Sequence, residues 1–310
     1  MTTSGPKSFL VLGAGIVALS FAAVLIRLTE APSLLVAAGR LAVASLVLTP
    51  FFWSRVAMRG RAPLELRGRK WGWILLAGGL LAAHFVLWIE SLDRISVTSS
   101  VVLVAMDPIF VAVLSSVLLR ERLSLRGWSA IGLGVAGSIV VGIPSFAGGQ
   151  SLSGNLLALG GAACAGGYLI VGRHVRPQTS LVVYVYLMYT AAALLLIPAV
   201  FLAGVRVADV SATAWVFIIL LGLGPQLLGH TSFNWALRHL TAPTVAMVIL
   251  LEPVGAALLS WLILGEPPTG IEAVGGAIIL AGVYLVATAR PPTGGGFIDR
   301  PSGEVTIGAG

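Results

Sequence analysis

Two carboxylates stand within long apolar segments of the chain, where a charge is costly. Asp107 lies in the apolar run 95–119 and Glu252 in the run 241–263. A charged side chain at the centre of a membrane-spanning helix costs roughly 2.5–3.5 kcal/mol, so acids in such places are usually functional. We expect both to face an internal cavity, where they bind the amine of a small solute or take up a proton. The alternative is a structural role, in which each neutral acid is hydrogen-bonded to the backbone.

Other polar side chains recur at helical spacing in apolar segments. Gln226, His230 and Asn234 are four residues apart and so share one helix face. Such a face must contact protein or water, because lipid tails offer no hydrogen bonds. His84 and Trp88 form a second pair with this spacing. We interpret the stripe as the lining of a cavity, with hydrogen bonding between helices as the alternative.

Arg40 and Tyr168 complete the predicted set. Arg40 lies about a third of the way into its apolar segment, where it could reach lipid headgroups, pair with an acid or bind a carboxylate. Tyr168 could supply an aromatic wall. The predicted substrate-binding residues are Arg40, His84, Trp88, Asp107, Tyr168, Gln226, His230, Asn234 and Glu252.

Glycine and proline interrupt the same segments. A proline inside a helix frees a carbonyl and loosens the turn before it. Interruptions in corresponding helices are among the best sequence indicators of a transport site. The predicted helix hinges are Gly78, Gly79, Pro108, Gly224, Pro225 and Pro253.

The composition determines the class of protein. The 310 residues are 57% hydrophobic and 10% charged, with a mean hydropathy of +1.00. A soluble domain carries about 25% charged residues, so a soluble enzyme or a nucleic-acid binder is a poor interpretation. The single cysteine, Cys164, excludes an intrachain disulfide and a cysteine-rich metal site. The run from Gly132 to Gly137 fits a dinucleotide-binding pattern, but no strand precedes it. We therefore expect no catalytic residues, no metal and no cofactor.

Apolar runs of about 20 residues predict membrane-spanning helices. The fold class that follows is an all-α integral membrane protein with ten transmembrane helices. The predicted spans are 9–28, 33–54, 71–90, 96–118, 127–143, 154–172, 182–203, 213–235, 241–263 and 271–289.

Positive charge predicts the orientation of these spans. With ten spans both termini share one side, and that side collects 15 of the 19 Lys and Arg residues. Three more lie on the other side, and Arg40 lies within a span. Cationic loops remain in the cytoplasm, so we expect a multi-pass protein of the plasma membrane with both termini cytoplasmic.

The chain also matches itself after a shift of 145 residues. Asp107-Pro108 falls on Glu252-Pro253, Glu121 on Glu266 and Gly137 on Gly282. Because each half then holds five spans, an odd number, the second half enters the membrane from the opposite side. The two glutamates lie at span ends and are best explained as helix caps or ion-pair partners. The expected organisation is a cytoplasmic N-terminus (1–8), two inverted five-helix repeats (9–143 and 154–289) and a disordered cytoplasmic tail (290–310).

The repeated motifs resemble those of a known family. Met106-Asp107-Pro108-Ile109-Phe110 followed by Leu118 to Ser124, and Leu251-Glu252-Pro253-Val254 followed by Leu264-Gly265-Glu266, are similar to the signature of the EamA-type transporters, in the drug/metabolite transporter superfamily. Arg40-Leu41 resembles the arginine of that family's second span. Arg120 departs from the family, which often has glycine there. The resemblance implies five plus five inverted helices and the export of metabolites, amino acids or drugs.

The function expected from the sequence is efflux of small organic solutes by a secondary transporter that works by alternating access. The alternatives are an intramembrane enzyme and a membrane sensor or structural protein without transport. The expected partners are a small-molecule substrate and the lipid bilayer, with no nucleic acid. Coupling to protons and assembly into a homodimer are left open.

Overall fold

A computed structural model describes residues 6–59, 69–95, 97–119, 123–146, 151–265 and 269–287. Within these ranges the fold is helical and contains no strand. The α-helices are α1 (Pro6–Leu28), α2 (Ser33–Arg59), α3 (Arg69–Leu92), α4 (Val97–Val104), α5 (Asp107–Leu114), α6 (Leu125–Phe146), α7 (Leu152–Val175), α8 (Leu181–Leu202), α9 (Ala212–Leu221), α10 (Thr231–Ala236), α11 (Ala242–Ile249), α12 (Glu252–Leu264) and α13 (Gly270–Ala287). Glu121, Glu266 and the predicted tail lie outside the described residues.

Eight helical stretches of the described chain are long and apolar enough to cross a membrane. They correspond to eight of the ten predicted spans. The remaining two predictions, 127–143 and 271–289, fall on shorter apolar stretches, Leu125–Val140 and Ala273–Leu285. The chain is therefore a multi-pass helical membrane protein, and the count of ten spans stays a prediction.

Two of the spans are broken at the intramembrane acids. Helix α4 ends at Val104 and α5 begins at Asp107, while α11 ends at Ile249 and α12 begins at Glu252. Pro108 and Pro253 stand in the first turn of the helices that they begin. Proline is tolerated there because the first turn has no partner for its N–H groups. An acid followed by a proline therefore begins a helix in both places.

The 145-residue shift also relates helix boundaries. It carries α4 onto α11, the start of α5 onto the start of α12, and the start of α6 onto the start of α13. The contacts between helices correspond under the same shift. Helix α1 packs on α10 and α12, and its counterpart α7 packs on α3 and α5, while α2 pairs with α8 and α6 with α13. The part before residue 147, the first half, and the part from residue 151, the second half, thus have corresponding helices that make corresponding contacts with the other half.

The α6–α13 pair is brought together by the matched glycines. A Cβ on Gly137 would lie 2.7 Å from the carbonyl oxygen of Gly275, and a Cβ on Gly282 would lie 2.9 Å from that of Ala130. Small residues let membrane helices approach closely and gain van der Waals contact. Each glycine therefore accommodates the backbone of the other half.

The span that was predicted as a regular helix over 213–235 is also interrupted. Between α9 and α10 the backbone forms a π-helix, Gly222–His230, that contains Pro225. π-Helical turns are rare and often lie at functional sites. The expectation that Gln226, His230 and Asn234 follow one α-helical stripe is therefore wrong in its geometry, because the wider π turns rotate successive side chains by a smaller angle.

Candidate functional site

A narrow central cavity lies between the two halves. Six of the nine predicted binding residues line it: His84, Trp88, Asp107, Tyr168, His230 and Glu252. Its apolar lining includes Leu19, Val104, Ala165, Phe233 and Ile249. The cavity leaves about 30 Å³ for the centres of water-sized molecules, which is room for about two waters.

The small residues of α7 position the first half's share of the lining. The backbone of α7 at Gly161 passes close to α3, so the Nδ1–H of His84 donates to the Gly161 carbonyl at 3.0 Å. One turn further, a Cβ on Gly166 would lie 3.4 Å from the carbonyl oxygen of Asp107. Larger side chains at these two positions would push α3 and α5 away from α7. The glycines therefore position both His84 and Asp107.

Aromatic rings surround the two histidines. The Tyr168 hydroxyl lies 3.0 Å from His230 Nδ1. The rings of His84 and His230 are in edge contact, with centroids 6.3 Å apart, and Trp88 stacks on His84 at 5.9 Å. All four side chains are at most 5% exposed. The arrangement is a rigid wall with hydrogen-bonding nitrogen and hydroxyl groups.

The two acids face the same space from opposite halves. Asp107 is 3% exposed and Glu252 is 7% exposed, and they are close enough to interact electrostatically. The Oδ1 atom of Asp107 has no hydrogen-bond partner among the described residues. A buried, unsatisfied carboxylate oxygen of this kind is suited to accept a hydrogen bond from a cationic solute or to carry a proton.

Arg40 and Gln226 lie beside the cavity rather than on its wall. The Nε–H of Arg40 donates to Gln226 Oε1 at 3.1 Å, and both side chains are fully buried. The guanidinium stands over the ring of Phe85, 4.0 Å from its centroid. Glu252 is the acid that interacts electrostatically with this cation. The bond between Arg40 and Gln226 joins α2 of the first half to the π-helix of the second.

Asn234 lies further along the bundle, away from the cavity. Its side-chain Nδ2 donates to the backbone carbonyl of His230 at 2.7 Å, and its backbone carbonyl accepts from Nε of Arg176 at 2.8 Å. Arg176 also donates to the carbonyl of Thr179. Arg173 donates to the carbonyl of Leu237 at 3.0 Å. Two arginines thus hold the end of α7 against the end of α10.

The arginines at this end of the bundle also affect the pKa of a neighbouring histidine. Partial burial, together with the charges of Arg238 and Arg176, lowers the pKa of His239 below its ordinary value. The ring of His239 packs against Trp235, with centroids 4.5 Å apart. The shift favours the neutral form of this histidine, which lies beside the positive charges of the arginines.

The opposite end of the bundle holds a wider pocket. Its volume is about 290 Å³, and its lining includes Arg27, Glu30 and Asp93. Ser33 donates to the Asp93 carboxylate and so ties α2 to the segment after α3. Arg94 donates to the hydroxyl of Ser153 at 3.4 Å, which joins the two halves.

The predicted hinges have different surroundings. Helix α3 continues unbroken through Gly78 and Gly79. A Cβ on Gly78 would lie 2.9 Å from the carbonyl oxygen of Met188, so this glycine allows α3 to approach α8. Gly224 and Pro225 lie in the π-helix, and Gly224 has open space around it. Hinge motion at these positions, and at Pro108 and Pro253, stays a prediction.

Sequence reasoning missed several residues that the structure places near the site. Phe85 lies under Arg40, and Phe233 lines the cavity. The hydroxyl of Tyr189 lies within hydrogen-bonding distance of the Gln226 carbonyl and the Thr231 hydroxyl. Buried phenylalanines are common in so apolar a chain, so no sequence signal singled these residues out. The described residues contain no group of three or more side chains that could hold a metal ion.

The sequence matches a known family over both halves. The profile of the EamA-like transporter family matches residues 7–143 and again residues 152–288. A probable terminal-alkyne amino-acid exporter of Streptantibioticus cattleyicolor is 28% identical over 265 residues, which cover 82% of this chain and 87% of that protein. A riboflavin transporter of Vibrio cholerae is 27% identical, covering 82% of this chain and 83% of the relative.

The fold is also similar to solved structures. One crystal structure superposes with a TM-score of 0.73 at 20% identity, covering 90% of this chain and 97% of the other. At that identity the likeness concerns the fold alone.

Proposed function

Because the chain belongs to the EamA-like transporter family, we propose that it is a secondary transporter that exports small organic solutes by alternating access. Family membership favours transport over an intramembrane enzyme or a sensor. The observation that carries the proposal is the central cavity, whose polar lining comes from both halves. A site shared by two similar halves can be opened to either side by a movement of one half against the other.

We further propose ten spans arranged as two inverted five-helix repeats, 9–143 and 154–289. The matched helix boundaries and packing partners of the two halves support this arrangement. The end that holds Arg173 and Arg176 would face the cytoplasm, since cationic loops remain there. The wider pocket at Arg27 and Asp93 would then be the exit to the outside of the plasma membrane.

The nine predicted residues form the proposed solute site, with different roles. Asp107 and Glu252 would receive a cationic group of the solute or a proton. His84, Trp88, Tyr168 and His230 would form the polar and aromatic wall. Arg40 and Gln226 would act from beside the cavity, and Asn234 would act indirectly by holding the end of the second half's π-helical span.

The relatives indicate the breadth of the substrate class. One is named as an exporter of an amino acid and another as a transporter of riboflavin. Both solutes are small and organic. We propose amino acids or similar metabolites for this chain.

An export screen tests the transport proposal. Cells that express the wild type are compared with cells that express the Asp107→Asn, Glu252→Gln double variant at equal membrane abundance. Mass spectrometry of the medium should reveal at least one solute that accumulates only with the wild type. Equal export by both proteins would leave transport standing and remove the acids from the mechanism. In a second experiment, both proteins are reconstituted into proteoliposomes that are loaded with a complete cell extract. If neither protein changes the efflux of any solute of the extract, the transport proposal is wrong.

A further inference from the structure

We infer that Arg40 and Gln226 form a subsite for a carboxylate, and hence that the solute is an amino acid with an apolar side chain. The inference rests on the proposed function and narrows it.

The pair carries more donors than acceptors. A guanidinium has five N–H groups and no acceptor, and the one on Nε is used by Gln226 Oε1. Arg40 Nη1, Arg40 Nη2 and Gln226 Nε2 are buried and have no hydrogen-bond partner in the described part of the chain. Leaving a buried donor without an acceptor is costly, and more so for a charged group. Three such nitrogens on two side chains that are bonded to each other favour a ligand that brings acceptor oxygens and negative charge.

A carboxylate is the group that fits this arrangement. Its two oxygens can accept parallel hydrogen bonds from the fork of a guanidinium, and such charge-assisted bonds are the strong ones. The fork is also held in place. The Phe85 ring lies under it at 4.0 Å, and Gly222 lets the π-helix lie against α2, since a Cβ there would be 3.0 Å from the Arg40 carbonyl oxygen. A pre-organised cation loses little freedom when it binds an anion.

The subsite is next to the cavity. The Phe85 ring is in edge contact with the ring of His230, which lines the cavity, at a centroid distance of 5.2 Å. Glu252 lines the cavity and interacts electrostatically with Arg40. The site therefore presents a cation on one flank and two acids on the other. A solute that carries both a carboxylate and an ammonium group is complementary to that pattern.

The lining between Arg40 and the two acids determines which solute side chain can bind. Leu19, Val104, Ala165, Phe233 and Ile249 contribute apolar surface, and Trp88 and Tyr168 contribute rings. An apolar side chain would replace water there without leaving polar groups unsatisfied. An amino acid with a charged side chain would need an additional partner for that charge, and the apolar part of the lining does not supply one.

A comparison of amino acids with their amines tests the subsite. Purified protein is reconstituted into liposomes loaded with the 20 common L-amino acids and with the primary amines that correspond to leucine, valine and phenylalanine without the carboxylate. Efflux is followed by mass spectrometry. Because the amines also cross the bilayer unaided as free bases, the leak from protein-free liposomes is subtracted from each rate. We expect the protein-dependent efflux of the three amino acids to be at least tenfold faster than that of their amines. Equal protein-dependent efflux of an amino acid and its amine would overturn the subsite and leave transport intact.

The variant Gln226→Glu provides an independent test. The new carboxylate keeps an oxygen beside Arg40 Nε and occupies the fork with an acceptor of the protein's own. We expect amino-acid efflux to fall at least tenfold while the thermal stability of the purified protein is unchanged or higher. If the unpartnered donors were only hydrated, the same variant would strengthen the pair and keep transport. Retained efflux in Gln226→Glu therefore overturns the inference.

A matched control removes the effect of charge alone. Gln178 is exposed at the end of the span that contains α7, so Gln178→Glu makes the same chemical change away from the site. It should transport as the wild type does. Efflux of none of the 20 amino acids also overturns the inference, and the cell-extract experiment described above then decides separately whether the protein transports at all.

Discussion

Asp107 and Glu252 interact electrostatically at the central cavity, so the charge of one affects the protonation of the other. Arg40 adds a cation that interacts with Glu252. Groups coupled in this way titrate as a set rather than as separate residues. A solute ammonium or a proton entering the cavity would therefore change the balance of the whole cluster.

Removing one acid should alter the pH dependence of transport. In Glu252→Gln the cluster loses an ionisable group, so we expect export to fall at least tenfold and to vary less with pH between 5 and 8. Efflux from proteoliposomes at a series of equal internal and external pH values measures this. Asp209→Asn is the control, because Asp209 is an exposed acid paired with Arg206 outside the cavity. A wild-type pH profile in Glu252→Gln would contradict the proposed role.

Tyr168 should affect transport more than stability. Tyr168→Phe removes the hydroxyl that lies 3.0 Å from His230 and keeps the ring. Hydrogen bonds between membrane helices average about 0.6 kcal/mol, so the cost in free energy of unfolding should be under about 1 kcal/mol. We expect a loss of at least fivefold in efflux, because the histidine loses its orientation. A large loss of stability with normal efflux would assign the hydroxyl to the fold instead.

Single residues also show how much of the candidate site could be predicted from the sequence. The acids and histidines were identifiable because polar groups are rare in apolar segments, and six of the nine predicted residues line one cavity. Gln226 bonds to Arg40 beside the cavity, a position that its spacing on a regular α-helix did not predict. Arg176 lies between the predicted spans 154–172 and 182–203, where a cationic residue usually faces solvent, yet its side chain is buried.

At the scale of elements, the two halves meet through interruptions of helix geometry. The breaks before Asp107 and Glu252 and the π-helix Gly222–His230 all occur where side chains reach the cavity or Arg40. The breaks were predictable from the two prolines. The π-helix was not, because its hydrogen-bonding pattern depends on contacts with α1 and α2 that are distant in sequence.

The paired glycines of α6 and α13 provide a test of helix packing. Gly137→Ala and Gly282→Ala each place a methyl group within 3 Å of a backbone oxygen of the other helix. Overpacking of this kind typically costs 1–3 kcal/mol, so we expect a clear fall in thermal stability. Gly132→Ala is the control on the same helix, since a Cβ there meets no atom within 4 Å. Equal stability of all three variants would contradict the close approach.

At the scale of the whole molecule, transport by alternating access requires the two halves to move relative to each other. The hydrogen bond between Arg94 and Ser153 crosses from one half to the other at the proposed outer end. The contact between Arg206 and Asp209 at the same end lies within a single short segment. These two pairs distinguish movement between the halves from local mobility.

Cross-linking should stop transport only where it joins the halves. Cys164 is the single cysteine, so Cys164→Ala supplies a cysteine-free background. In that background a short bifunctional thiol reagent on Arg94→Cys with Ser153→Cys should abolish efflux, and reduction should restore it. The same reagent on Arg206→Cys with Asp209→Cys should leave efflux unchanged. Full efflux with the halves joined would contradict alternating access.

The small size of the central cavity also matters for the leak of protons across the membrane. Two waters in file span only about 6 Å, against a hydrocarbon thickness of about 30 Å. The water that the central cavity can hold therefore spans only a small part of the bilayer. So little water at the central site favours a low proton leak, which matters to a cell that carries many copies of a transporter.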